Sequence, residues 1–277
     1  MTAEPPPVDV LVVAVSYFGS ADLAALLASL RAGGGAWRLV AVDNAGDPAE
    51  HRAVIAALGG EPRAVVVDAQ GNLGYLGGAR LALGGLGGPP APWTVVTNTD
   101  VRFTPDFVTS VAALPGDAVV APAIVSDLSG SDQNPFLERR PSRHTVLRWR
   151  VQFATVPVAR LVVALGRLGS SVRRLVRRRT TSGVARTVYA PHGSCLVLPA
   201  AYFDRGGTLD HGAFLFGEEI TVAERARALG LPVRYEPAVV VRHAEHRSTG
   251  WWRSRQLLTW QRESVREIAR VLEGRGP

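Results

Sequence analysis

The chain has 277 residues, 47% of them hydrophobic, and a formal net charge of +7. That length fits one large α/β domain, and a single domain over residues 1–277 is the expectation. All 31 basic residues are arginine, which sets aside P-loop nucleotide chemistry and Schiff-base or pyridoxal catalysis, because both need a lysine amine.

The positive charge favours anionic partners such as nucleotides, phospholipid surfaces or nucleic acids, without choosing among them. The opening "MTAEPPPVDV" has neither the basic start nor the apolar run of a secretory signal. No stretch reaches the roughly 20 apolar residues needed to span a bilayer, so a cytoplasmic protein is expected. Cys195, in the apolar run "CLVL", reads as a buried structural thiol.

In chain order, "VDVLVVAVSY" (Val8 to Tyr17) is the near-continuous β-branched run of a strand buried on both faces. It is followed by a helix with Ser20 as its expected cap and Leu23, Leu26, Leu27 and Leu30 at helical spacing. "WRLVAVDNAG" and "DPAEHRAVIAAL" repeat the strand and helix, then "RAVVVDAQGNLGYLGGARLAL" gives a strand, a glycine-rich loop from Gly71 to Gly78 and a helix. "WTVVTNTD" is the fourth strand. Such alternation from residue 8 to about 115 predicts a parallel sheet with right-handed crossovers and a ligand at the carboxyl ends of the strands. A basic excursion over 139–186 follows, since no acidic residue lies between Glu138 and Asp204. Ordinary structure resumes over 187–246 with "TVYAPHGSCLVLP", a helix from "GEEITVAERARALG" carrying Val222, Ala226 and Leu229 on its apolar stripe, and the strand "LPVRYEPAVVVRH". An Arg-rich amphipathic helix spans 251–272.

Several residues on this frame have chemistry to offer. Asp43 ends the second strand, where it reads either as a cap for the next helix or as a ligand contact. Asp100 ends the fourth, and Asn98 two residues earlier falls on the same side of an extended chain, offering a second oxygen to a hard cation or a sugar hydroxyl. "GNLGYLGGAR" can bring backbone amides close to a ligand at a helix N-terminus, or is simply a flexible turn. Its spacing and its place after the third strand differ from the dinucleotide fingerprint. Glu218 and Glu219 start a helix, where the macrodipole favours acids, but the apolar approach "AFLF" would also raise a carboxyl pKa toward that of a general base. His243 ends an apolar strand and reads as a core residue, a surface switch or a metal ligand.

Taken in order, "VVAVSYFGSADLAALLASL", "VAVDNAG", "GNLGYLGGAR", "VVTNTDVRFTPDF", "APHGSCLVLPAAYF", "FLFGEEITVAERARALG" and "YEPAVVVRH" resemble the family 2 glycosyltransferases of GT-A fold, especially their bacterial rhamnosyltransferase-like branch. The resemblance covers about residues 8 to 246. It implies a Rossmann-like, mostly parallel sheet flanked by helices, with a basic helical insertion and a C-terminal helix. It also implies a nucleotide-diphosphate sugar donor, dTDP- or UDP-linked, a glycan or lipid-linked hydroxyl acceptor, Mn2+ or Mg2+, and inversion at the anomeric carbon. By the same resemblance the donor lies on Ser16, Tyr17, Asp43, Asn44, Asn72, Gly74, Gly77, Arg80, Asn98 and Asp100. Asp100 and His243 hold the metal, and Glu219, beside Glu218, is the catalytic base. The sequence departs from the family pattern at Asn98, where the D-x-D segment begins with Asp, at the Glu-Glu pair, where the family has Glu-Asp, and at Arg80, commonly Asn.

Within the excursion, Leu161, Leu165, Leu168, Val172 and Leu175 form a stripe flanked by Arg. It reads equally as a helix on an anionic membrane at the inner face of the plasma membrane, through residues 155–179, or as one packed on its own domain or a homodimer partner. Two rivals stand beside the transferase reading. One is a family member that has lost catalysis. The other is a nucleic-acid binder, motivated by pI and by Trp149, Trp251 and Trp252 beside arginines, which leaves the glycine loop, the glutamate pair and His243 unexplained, so no nucleic-acid partner is expected.

Overall fold

The computed structural model describes residues 8–89, 91–154, 183–245 and 255–274. The chain runs β1 (Val10–Ser16), α1 (Ser20–Arg31), β2 (Trp37–Asp43), α2 (Pro48–Leu58), β3 (Ala64–Asp68), α3 (Tyr75–Gly85) and β4 (Trp93–Asn98). It continues through β5 (Val101–Phe103), α4 (Phe107–Ala112), β6 (Val119–Ser126), α5 (Arg143–Gln152), β7 (Arg186–Val188), β8 (Cys195–Pro199) and α6 (Ala200–Asp204). The last elements are α7 (Glu218–Ala228), β9 (Val233–His243) and α8 (Arg255–Leu272).

The strands form a nine-stranded sheet in the order β3-β2-β1-β4-β8-β6-β9-β5, with β7 pairing to β9. The first four are mutually parallel. From there β8 runs antiparallel to β4 and β6, while β9 runs parallel to β6 and antiparallel to β5 and β7. Six strands therefore point one way and β5, β7 and β8 the other, so the sheet is mostly parallel by direction.

β-strand alternation distributes β1 between two apolar layers. Val10, Val12 and Ala14 join the layer containing Leu23, Leu26, Leu27 and Leu30 of α1, while Leu11, Val13 and Val15 join the one under α3 and α7. All four α1 leucines are buried, each contributing about 1.5–3 kcal/mol of transfer free energy before entropy is subtracted. Val222 and Ala226 of α7 are buried as its stripe predicts.

Some local expectations change. Ser20 does not cap α1; Gly19 precedes the helix, and Ser20 gives its backbone N–H and hydroxyl to Glu50 of α2 at 2.9 and 3.2 Å. Asp43 is not the cap of α2, because Asp47 is, accepting from Ala49 and Glu50 N–H at 2.8 and 2.9 Å. The glycine loop is shorter than predicted, for α3 already starts at Tyr75 and includes Gly77 and Gly78. The chain is not extended through Asp100: it turns at Thr99 and Asp100 and re-enters the sheet as β5, far from β4 in strand order. The amphipathic stripe at Leu161 to Leu175, the arginines beside it and residues 251–254 lie outside the described residues. No helix among the described residues is long and apolar enough to cross a membrane.

Candidate active site

The carboxyl ends of β1, β2, β3 and β4 form one edge. Because β8 is antiparallel to β4, its first residue, Cys195, pairs with Thr97, which carries His192, Gly193 and Ser194 to that edge. From β2 to β8 are three strand steps of about 4.8 Å, or roughly 14 Å across.

At one end lie Asp43, His51 and Asp68. Asp43 is buried; its Oδ1 accepts the Ala45 N–H at 3.0 Å and its Oδ2 meets His51 Nδ1 at 2.9 Å. Register pairs Asp43 with Asp68 on β3. Ligand atoms of the three residues lie within 4.8 Å of one another, a grouping able to hold a metal ion. The sequence reading missed His51 and Asp68, and the only signal for them was their place one helix turn into α2 and at the end of β3.

Asn44 is spent on building the site. Its Oδ1 accepts the Leu73 N–H at 3.0 Å, and its Nδ2 donates to Asn72 Oδ1 at 3.0 Å and to the Gly74 carbonyl at 3.1 Å. Asn72 Oδ1 also accepts the Gly74 N–H at 3.0 Å. These bonds fix the turn into α3. Gly74 has φ +75°, and a Cβ there would collide with the Phe214 carbonyl, so both backbone conformation and close approach demand glycine. Ser16 is buried, with a hydroxyl that hydrogen-bonds no described residue, and Tyr17 beside it is exposed.

Toward the other side of the sheet, β5 and β9 pair Val101 with His243, and Asp100 O accepts the Ala244 N–H at 2.9 Å. His243 Nε2 thereby stands 3.3 Å from Asp100 Oδ1. Gln133 Nε2 donates to Glu245 Oε1 at 2.8 Å, so Gln133 Oε1 is the group that accepts from His243 Nδ1–H at 2.7 Å. Nε2 of His243 then faces a carboxylate oxygen that is buried without a hydrogen bond, and without a proton of its own it turns a lone pair toward that oxygen. Two lone pairs facing each other call for a proton or a cation between them. The residues fit a divalent metal here better than at Asp43, whose oxygens already accept hydrogen bonds. Asn98 ends β4 at this same edge, its N–H given to the Ser194 carbonyl at 3.1 Å.

Beside Gly193, just ahead of β8, Glu218 and Glu219 open α7 and separate in role. Glu218 is buried and accepts the Phe216 N–H at 3.0 Å. Burial foremost, and then the charge of Glu219, push its pKa up to about 7. Glu219 remains partly accessible. Burial raises its pKa too, opposed by backbone N–H groups including those of Gly193 and Gly217. A Cβ on Gly193 would lie 2.8 Å from Glu219 Oε1.

His192, unassigned by sequence, stands beside this group. Its N–H is held by Asn134 Oδ1 at 2.7 Å and its Nδ1 accepts the Ser194 N–H at 3.2 Å. Burial, then the neighbouring His243, lower its pKa to about 4, which keeps the ring neutral near pH 7. Cys195 is buried and free, its thiol pushed up to about 12 by burial.

Arg80 lies one turn beyond Gly77 in the same helix. It is exposed on α3, ion-paired to Asp210 at 2.6 Å, and lines with Gly77, Leu73, His211 and Phe214 a cavity of about 280 Å³.

No family model matches this chain, and no curated protein matches its sequence. Solved structures do match in fold. One is GalNAc-T7 with UDP, GalNAc and Mn2+, at TM-score 0.63 and 12% identity, covering 96% of this chain and 48% of that one. Another is the mannosyltransferase PcManGT from Pyrobaculum calidifontis in complex with GDP-Man and Mn2+, at 0.55 and 14%, covering 98% and 75%. A third is TarS of S. aureus, at 0.53 and 10%, covering 86% and 37%. The chain thus has the GT-A glycosyltransferase fold, and it spans about half the length of GalNAc-T7 and less of TarS.

Proposed function

We propose that the chain is an inverting glycosyltransferase of the family 2, rhamnosyltransferase-like kind, which moves a sugar from a nucleoside diphosphate to a hydroxyl of a glycan or lipid-linked acceptor. The observation that carries this reading is the carboxyl edge of the parallel strands, where buried Asp43 ends β2, Glu219 lies against Gly193 just ahead of β8, and the buried Asp100 oxygen stands 3.3 Å from His243 Nε2 at the end of β9. A nucleoside joined through a diphosphate to a sugar matches that span. Neighbours of the same fold are described with UDP or GDP-Man and Mn2+, which supports a nucleotide-sugar donor and manganese for this chain.

In this mechanism Asp43, His51 and Asp68 receive the nucleoside. Asp100 and His243 would hold a divalent cation, which would supply charge neutralisation for the diphosphate leaving group. Glu219 takes the proton of the acceptor hydroxyl as its oxygen attacks the anomeric carbon from the face opposite the departing diphosphate. The raised pKa suits that proton transfer, and the Gly193 and Gly217 amides aim the carboxylate. The donor sugar is a deoxysugar such as rhamnose, on the strength of the motif resemblance. Leu147 and Val151 are exposed on the Arg-rich α5, which lies within the basic excursion just before residues 155–179, and this supports peripheral contact with an anionic membrane.

A thermal-shift panel of dTDP, UDP and GDP with and without Mn2+ tests donor binding, since a ligand at a hundred times its Kd stabilises by about 2.7 kcal/mol. Hydrolysis or transfer of the best donor should vanish in Glu219→Gln and Asp100→Ala. No stabilisation by any of the diphosphates overturns the proposal.

A further inference from the structure

α5 packs against the C-terminal half of α8, and of its ten residues only Val146 is buried. Between the two helices lies a cleft of about 400 Å³, within the roughly 300–1,000 Å³ of small-molecule sites. Arg143, Val146, Leu147 and Arg150 form its α5 wall, and Ala269, Leu272 and Glu273 face them from α8 and its end. Residues 143, 147 and 150 are spaced by four and then three, so they share one stripe of the helix, with the apolar pair set between two guanidinium groups. At 1.5 Å per residue those two arginines stand about 10 Å apart along the axis.

The third arginine of the cleft is spent within the protein. Arg140 forks onto Glu224 and gives a further N–H to the Leu272 carbonyl at 2.7 Å. Arg143 and Arg150 make no hydrogen bond or ion pair with any described residue, Glu273 across the cleft included. Outside the described residues the sequence holds one acid, Glu4, so the chain has little else to offer them. Beside these charges Leu147 is 58% exposed. The cleft thus joins positive charge without a partner to bare apolar surface, which matches a phosphate carried on hydrocarbon. A free phosphate would leave the apolar stripe uncovered. A single-stranded nucleic acid stacks its bases on aromatic rings, and no described residue of the cleft wall is aromatic.

We infer that the cleft between α5 and α8 binds one anionic membrane phospholipid, its phosphate held by Arg143 and Arg150 and the start of its hydrocarbon chain laid over Val146, Leu147 and Leu272. The inference rests on the membrane contact proposed above and gives that contact a site in place of diffuse attraction. It is independent of the donor chemistry.

The experiment compares wild type with Arg143→Gln/Arg150→Gln and with Arg139→Gln/Arg148→Gln, which removes equal charge from exposed arginines outside the cleft. All four positions are exposed, so the fold tolerates glutamine at each. The full chain is titrated with vesicles of phosphatidylcholine, with vesicles that also contain phosphatidylglycerol, with soluble dihexanoyl phosphatidylglycerol, with inorganic phosphate and with a short single-stranded oligonucleotide. Wild type and the outer variant should bind the soluble lipid equally, one molecule per chain, and the cleft variant about tenfold more weakly or worse, the loss of charge-assisted bonds to phosphate. On the phosphatidylglycerol vesicles the cleft variant should lose more than the outer one. Leu147→Gln should weaken the soluble lipid about fivefold and leave inorganic phosphate unchanged.

Equal losses in the two double variants would show diffuse attraction, leaving membrane contact intact and overturning the site. Inorganic phosphate bound as tightly as the soluble lipid would overturn it in favour of a simple anion site. An oligonucleotide bound more tightly than the lipid through the same two arginines would overturn it in favour of nucleic acid. If wild type binds neither the vesicles nor the soluble lipid, the membrane contact itself falls and the site with it.

Discussion

His243 Nε2 lies 3.3 Å from Asp100 Oδ1, and the two residues come from strands that meet only because β5 leaves β4 and crosses to the far edge of the sheet. The ring is held from behind by Gln133, itself held by Glu245. A metal-binding imidazole is usually fixed this way through its second nitrogen.

Gln133→Leu removes that support while leaving both ligands in place. Manganese affinity, read by electron paramagnetic resonance titration, should fall by about tenfold or more. Unchanged affinity would show that Asp100 binds the ion without an oriented His243.

The glutamate pair sets a pH dependence of stability. In the unfolded chain Glu218 titrates near its ordinary 4.5, and in the fold near 7. Between those values the folded state binds the extra proton, so its contribution is complete below about pH 4.5 and is lost as pH rises toward 7. Glu218→Gln imitates the protonated form and keeps an oxygen for the Phe216 N–H. Urea melts should show a flatter profile from pH 5 to 8, with the variant more stable at pH 8 by up to about 3 kcal/mol.

Gly193 leaves room for the Glu219 carboxylate, the proposed base, since a Cβ there would lie 2.8 Å from Glu219 Oε1. Gly193→Ala should therefore displace Glu219 and lower donor turnover about 100-fold, as small misplacements of reacting groups do. Stability should change by only about 1 kcal/mol. Full turnover in the alanine variant would argue that Glu219 is not the base.

Arg140 anchors α7 from outside the site. It forks onto Glu224 at 2.7 and 2.8 Å, and Tyr189 donates to the same carboxylate at 2.8 Å. Burial opposes ionisation of Glu224, but the bonds from Arg140 and Tyr189 outweigh it and hold the pKa below the ordinary range. Arg140→Ala leaves a buried carboxylate short of its partner and should cost about 2 kcal/mol in chemical denaturation, reduced from a fully buried pair because Arg140 is partly exposed. Arg140→Lys should recover part of this, having charge but no fork.

Much of the frame was legible in the chain. The runs "VLVVAV", "LVAVD" and "WTVVTN" could only be strands buried on both faces, and a period of two assigned their side chains to opposite layers. The leucine spacing of α1 and the glycines of the third loop were local signals of the same kind. Local reading failed where a side chain had two possible partners. Ser20 was free to cap its own helix but bonds Glu50 of α2.

The sequence by itself determined the strands, the helices and the carboxyl edge on which Asp43, the glycine loop and Asp100 fall, because those follow from periodicity and from the handedness of strand-helix-strand units. Only the tertiary structure decided what meets at that edge. An antiparallel β8 carries Gly193 to Glu219, and the crossing of β5 to β9 sets Asp100 against His243. Those encounters join residues far apart in the chain. They depend on strand order and register, which no local pattern of side chains specifies.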